Sequence, residues 1–123
     1  MNKYGILIVR ILLGGIMFLH GLQKFTDGIG GTVQFFDSLG IPGFMAYIVA
    51  SIELVGGVAL AFGVLVPYIS VLIAGVLVGA IVTVKLSSGF LGGYEYEFVL
   101  LVLSLVTLMT APLKKIFQFL PSK

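Results

Sequence analysis

The sequence predicts an all-α integral membrane protein: an antiparallel four-helix bundle with a short outer interfacial helix. Three observations carry this. First, 59% of the 123 residues are hydrophobic and only 10% charged, with mean hydropathy +1.22. A soluble domain of this size has too much surface for its volume to hide so much apolar area. Second, the apolar residues form four runs close to the ~20 residues that a helix needs to cross ~30 Å of hydrocarbon. Third, the runs are continuous and lack the alternation of a transmembrane barrel.

The chain reads as a single domain, 1–123, with spans near 4–22, 44–64, 68–86 and 96–113. The first begins at Tyr4 behind Lys3. This start imitates a secretory leader, but "HGLQK" follows in place of a small-residue cleavage pattern, so the segment is expected to remain as a span. The loop after it contains "TVQFFDSLG", in which Val33, Phe36 and Leu39 share a helical face and Gly40 can end the turn. This short helix is expected to cap the bundle on the outer surface through Phe35, Phe36 and Leu39. The second span follows Pro42. Pro67 starts the third after a very short turn, so the two form a hairpin. The fourth ends near Pro112.

An even number of spans puts both termini on one side, with Lys3, Lys114, Lys115 and Lys123 and no acid. Basic residues favour the cytoplasm, so both termini are expected inside a bacterial cytoplasmic membrane. Tyr4 and Tyr68 then mark the inner interface, and Tyr47, Tyr94 and Tyr96 the outer one. The chain has no cysteine, which excludes disulfides, thiolate metal sites and thiol redox chemistry within it. No metal site is expected. The net charge of +2 suits anionic lipid better than nucleic acid, and no nucleic-acid partner is expected.

Charges inside the spans are the functional signal. Arg10, Gly14, Met17, Gly21 and Lys24 share one face of the first helix, and His20 lies one turn before Lys24. At 1.5 Å per residue, Arg10 lies about 9 Å from the inner surface, Glu53 about 16 Å, His20 about 24 Å and Lys24 about 30 Å. Helical side chains lean toward the N-terminus of their own helix. In antiparallel helices this brings Glu53 and His20 together, and the nearest base to Glu53 is expected to be His20 or Lys24. A central carboxylate costs roughly 2.5–3.5 kcal/mol on insertion scales, which argues against an idle one. The expected pocket lies in the outer half, with Glu53 as its floor and His20, Lys24, Lys85 and Glu97 around it. Each residue also has a plainer reading: Arg10 as a snorkelling anchor, Glu53 as a structural pair member, His20 as an interface residue, Lys85 as an interface charge. "GVLVG" at 75–79 fits close helix packing. Ser104, Thr107 and Thr110 form a stripe suited to hydrogen bonds between helices.

Two quoted stretches, "VRILLGGIMFLHGLQKF" and "GIPGFMAYIVASIELVGGVALAFG", resemble the DoxX family of small bacterial four-helix membrane proteins. "YEYEFVLLVLSL" is similar to the acidic start of that family's last helix. The resemblance spans nearly the whole chain and rests on the ordered combination. It implies a redox role: family members are named as small subunits of thiosulfate:quinone oxidoreductases, and relatives occur in responses to catechols, quinones and oxidative stress. It marks Arg10, His20, Lys24 and Glu53 as the positions that match its motif.

The expectation is therefore a quinone-linked oxidoreductase or its membrane subunit. Glu53 and His20 are the catalytic candidates, and Arg10, Lys24, Lys85 and Glu97 the substrate-binding ones. His20 and Lys24 would donate to a carbonyl oxygen and Glu53 would relay a proton. No haem-ligand pair or nucleotide-binding fingerprint supplies electrons. They must come from a reduced substrate or a redox partner subunit. Quinone, or a small aromatic substrate, is the expected ligand, and a homo-oligomer is compatible. Two alternatives use the same residues: a small-molecule or proton carrier, and a non-catalytic membrane adaptor.

Overall fold

A computed structural model describes residues 2–111 and 116–121. The side chain of Lys85 also lies outside the described residues. So do Lys114, Lys115 and Lys123, on which the orientation argument leans, and the end of the fourth span at 112–113.

Among the described residues, five α-helices form: α1 (Lys3–Thr26), α2 (Ile29–Ser38), α3 (Met45–Phe62), α4 (Val66–Ala80) and α5 (Glu95–Met109). Four segments are long and apolar enough to span a membrane: Lys3–Thr26, Met45–Phe62, Val66–Val84 and Phe90–Met109. The chain is thus an all-α, multi-pass membrane bundle with one short extra helix. Asn2 starts α1 by accepting a hydrogen bond from Gly5 N through its side chain, which satisfies one of the free N–H groups of the first turn. Pro67 lies in the first turn of α4, where its missing N–H costs nothing. The α3–α4 turn needs two left-handed residues, Gly63 (φ 83°) and Leu65 (φ 49°). Glycine takes that conformation freely, and leucine must be held there.

The holding comes from the tail. Leu65 N donates to Ile116 O (2.6 Å), Gln118 N donates to Gly63 O (2.8 Å), and Val64 pairs with Phe117 as an isolated antiparallel bridge. The start of α1, the α3–α4 turn and the tail therefore share one end of the bundle, here called the terminal end. The opposite, cap end carries α2 and the α4–α5 connection.

α1 packs most extensively on α3, and α4 on α5. Glycine permits the first contact. A Cβ at Gly14 would lie 2.6 Å from Gly57 O, one at Gly57 would lie 2.5 Å from Gly14 O, and one at Gly21 would lie 2.5 Å from Leu54 N. No side chain fits there, so the backbones of α1 and α3 touch, as small residues allow in membrane bundles. The core between the helices is Leu13, Met17, Leu60, Ile73, Leu77 and Leu100. The polar stripe of α5 works differently from expectation. Only Thr107 crosses to another helix, sharing a 2.7 Å hydrogen bond with Ser70. Ser104 and Thr110 donate to carbonyls of α5 itself, at Leu101 and Val106.

Past Ala80, α4 widens into a π-type turn over Ile81–Lys85 and then tightens over Leu86–Ser88. Gly89 and Gly92, both at positive φ, turn the chain into α5. Gly92 N donates to Glu95 Oε1 at 2.9 Å.

Candidate functional site

The close backbone contact of α1 and α3 sets the site. Gly21 lies against Leu54, which holds Lys24, nearly one turn further along α1, beside Glu53. Lys24 Nζ donates to Glu53 Oε1 at 2.5 Å. Glu53 is only 6% exposed, and Lys24 is half-buried. A carboxylate this buried is tolerable because a cation meets it directly. The answer to which base faces Glu53 is Lys24.

His20 turns elsewhere. Its Nε2 shares a 2.9 Å hydrogen bond with the Tyr96 hydroxyl, and the two rings stack with centroids 5.7 Å apart. Tyr96 also lies within electrostatic reach of Glu97 and Glu53. One polar cluster therefore joins α1, α3 and α5 near the cap end: Lys24 with Glu53, and His20 with Tyr96, with Glu97 at the next position of α5. Sequence reasoning placed Tyr96 only in the aromatic belt. Its partner is 76 positions away, and no local pattern announces such a pair.

A cavity of about 680 Å³ adjoins Lys24 and Glu53. One wall is α3, with Ile48, Val49 and Ile52; the other is α4, with Leu72, Gly75 and Gly79; α2 roofs it with Phe35, Phe36 and Leu39. Its origin is geometric. The Gly63–Leu65 turn ties α3 and α4 together at the terminal end, where Gly56 meets Ile69 and Ile73. Toward the cap end the α4 face carries Gly75, Gly79 and Ala80, which are too small to fill the space. Among the described residues, the glycine pair of "GVLVG" therefore meets no other helix: a Cβ at either Gly75 or Gly79 would find no neighbouring atom within 4 Å. The π-type turn widens the same face and adds Thr83 to the lining; such turns recur at functional sites. A volume of this size is typical for a small-molecule site, as is an apolar lining with few polar groups.

Arg10 lies at the other end. It is 3% exposed and does not snorkel. It donates through Nη1 to Gln118 O (3.1 Å) and through Nη2 to Ala61 O (3.5 Å) and Phe119 O. Its guanidinium also covers the Phe119 ring at 5.6 Å. The structure thus brings Lys24 and Glu53 to the cavity, and His20 and Glu97 to its neighbourhood. It sets Arg10 apart as a clasp on the tail.

Comparison with known proteins agrees with this architecture. The DoxX family model matches residues 5–86. "Putative oxidoreductase CatD" of Bacillus subtilis (strain 168) is 48% identical over 113 residues, covering 89% of this chain and 84% of the relative. "Inner membrane protein YqjF" of Escherichia coli (strain K12) is 38% identical over 63 residues, 51% of this chain and 48% of that protein. No solved structure matches the chain significantly. The chain belongs to the DoxX family.

Proposed function

We propose that this protein is a quinone-linked oxidoreductase, or the membrane subunit of one, in the bacterial cytoplasmic membrane. The observation that carries the reading is the Lys24–Glu53 pair, its carboxylate buried, in the wall of a largely apolar cavity between spanning helices. Reducing a quinone to a quinol takes two electrons and two protons. Lys24 offers a hydrogen-bond donor to a ring carbonyl oxygen and stabilises the negative charge that develops there. Glu53, a carboxylate at rest beside Lys24, takes up a proton and passes it to a ring oxygen, once for each of the two oxygens; buried carboxylates in membrane helices serve such relays. His20 and Tyr96 continue the polar path toward the headgroups. The electrons come from a reduced substrate or a redox partner subunit. The name of the Bacillus subtilis relative supports an oxidoreductase.

The test is quinone reduction by membranes containing the protein, supplied with decylubiquinone and either thiosulfate or the membranes' own reduced donors. Wild-type protein should raise the rate over membranes lacking it. Glu53→Gln should lower that increment by about 100-fold or more, the range of a lost general acid–base group, with normal amounts of folded protein. An increment retained by Glu53→Gln, or none from wild type, refutes the reading.

The lysines at 3, 114, 115 and 123 support cytoplasmic termini. A cysteine replacing Gly30 should then react with an impermeant reagent from outside intact cells, and one replacing Asn2 only after permeabilisation. The reverse pattern inverts the topology.

A further inference from the structure

We propose that the groove between α3 and α4 is a ligand site entered sideways from the bilayer. Its occupant is a flat-ringed, lipid-soluble carbonyl compound, and Gly75 and Gly79 form the wall that sets the thickness of the ring. The quinone reading supplies the ring's chemical class; the slot itself stands on the geometry.

Ile48 and Leu72, which line the groove from α3 and α4, are both exposed apolar side chains of spanning helices, and the bilayer is the solvent such side chains suit. The amphipathic α2 roofs the cap end with Phe35, Phe36 and Leu39. α2 thus lies between the groove and the headgroups, and the apolar rim offers the opening to hydrocarbon. A ligand that enters this way must be soluble in hydrocarbon. At the groove's polar edge it meets Lys24, which donates to carbonyl oxygens, beside the buried Glu53.

The glycines set the shape. Residues four apart share a helix face, so Gly75 and Gly79 bare a strip of α4 backbone one turn long. Each glycine weakens a helix relative to alanine. In α1 and α3 that cost is offset by backbone contact, at Gly14, Gly21 and Gly57. At Gly75 and Gly79 no described residue offsets it. A flat ring slid between this strip and the branched side chains of Ile48, Val49 and Ile52 would gain the contact that a packed helix gains elsewhere. A second copy's helix is the less fitting occupant. It is about 10 Å across with its side chains, and it would set a bulky surface against a charged pair under the α2 roof.

Three probes test the slot with protein in lipid nanodiscs: decylubiquinone, decanophenone (ring, carbonyl and chain, but no quinone chemistry) and dodecan-2-one (carbonyl and chain, but no ring). Wild type should bind the first two at least tenfold more tightly than the third. Gly79→Leu should lose at least tenfold in affinity for both ring compounds, and Gly75→Leu likewise. Both variants should keep the wild-type melting temperature or exceed it, since their side chains enter open space. Equal binding of dodecan-2-one would overturn the ring specificity. Unchanged binding by both variants would overturn the slot. A wild-type dimer that both variants abolish, with no probe bound, would give the groove to a second copy and overturn it too. Ring binding that the variants lose, without quinone turnover in membranes, would uphold the slot and refute the oxidoreductase reading.

Discussion

Two basic side chains of α1 end up at opposite ends of the bundle, Arg10 buried and Lys24 half-buried, with different partners. Arg10 meets backbone carbonyls of Ala61, Gln118 and Phe119. Lys24 meets one carboxylate, Glu53, beside a cavity. Carbonyls do not titrate, and the guanidinium keeps its proton under all physiological conditions. The Arg10 cluster therefore has one state and acts as a fastener, locking the tail against the strained Gly63–Leu65 turn. The ammonium of Lys24 and the carboxylate of Glu53 are groups that proton chemistry can use, and a cavity lies beside them. Burial alone does not separate a structural charge from a functional one. What a partner can do chemically, and whether space remains beside it, does.

The sharpest way to break this comparison is at Arg10. Arg10→Ala strips three carbonyls of a charged donor and should cost about 3 kcal/mol. The loss should appear as a lower melting temperature and faster hydrogen exchange at Leu65 and Gln118. Protein that remains folded should keep its cap-end activity. Arg10→Lys should rescue little, because an ammonium cannot fork to carbonyls on two segments. Loss of activity with stability intact would move Arg10 into the site.

Gly21 probes the link between packing and chemistry. Gly21→Ala forces a methyl group into the Leu54 backbone and should cost about 1–3 kcal/mol, the range for overpacking. It should also draw Lys24 away from Glu53. Activity should therefore fall further than in Gly15→Ala, where a Cβ meets nothing within 4 Å. Equal behaviour of the two variants would mean that α1 moves freely along α3.

The smallest expected effect is at Tyr96. Tyr96→Phe removes the hydrogen bond to His20 and keeps the ring stack, so the stability change should stay within about 1 kcal/mol. If the polar path through Tyr96 carries protons, turnover should drop several-fold, with a larger effect above neutral pH where protons are scarce. Unchanged turnover across pH would confine the working site to Lys24 and Glu53.

Much of the fold was legible because membrane helices obey a local rule: about 20 apolar residues, bounded by proline, glycine or charge. α2 was legible from its amphipathic face, though it begins at Ile29, earlier than "TVQFFDSLG" suggests. The facing of Glu53 toward α1 was legible, but the lean of side chains in antiparallel helices pointed to His20 as its neighbour, and the structure places Lys24 there. The sequence left His20 and Lys24 as competitors for Glu53, and the outcome depended on α5 bringing Tyr96 to His20.

By itself, the sequence determined the solvent, the number of spans and the even pairing of the ends. These follow from hydropathy and a fixed rise per residue, and neither depends on the neighbours a helix meets. Only the tertiary structure decided what each glycine and each charge is for. "GG" at 14–15 and 56–57 and "GVLVG" at 75–79 look alike as sequence. Gly14 and Gly57 seal two helices together, while Gly75 and Gly79 face empty space. Arg10 and Lys24 lie on the same stripe of α1, yet one clasps carbonyls more than 50 positions away and the other pairs with a carboxylate. The physical reason is that contact between helices is set by their crossing and their divergence from the Gly63–Leu65 turn, and no span encodes that geometry on its own.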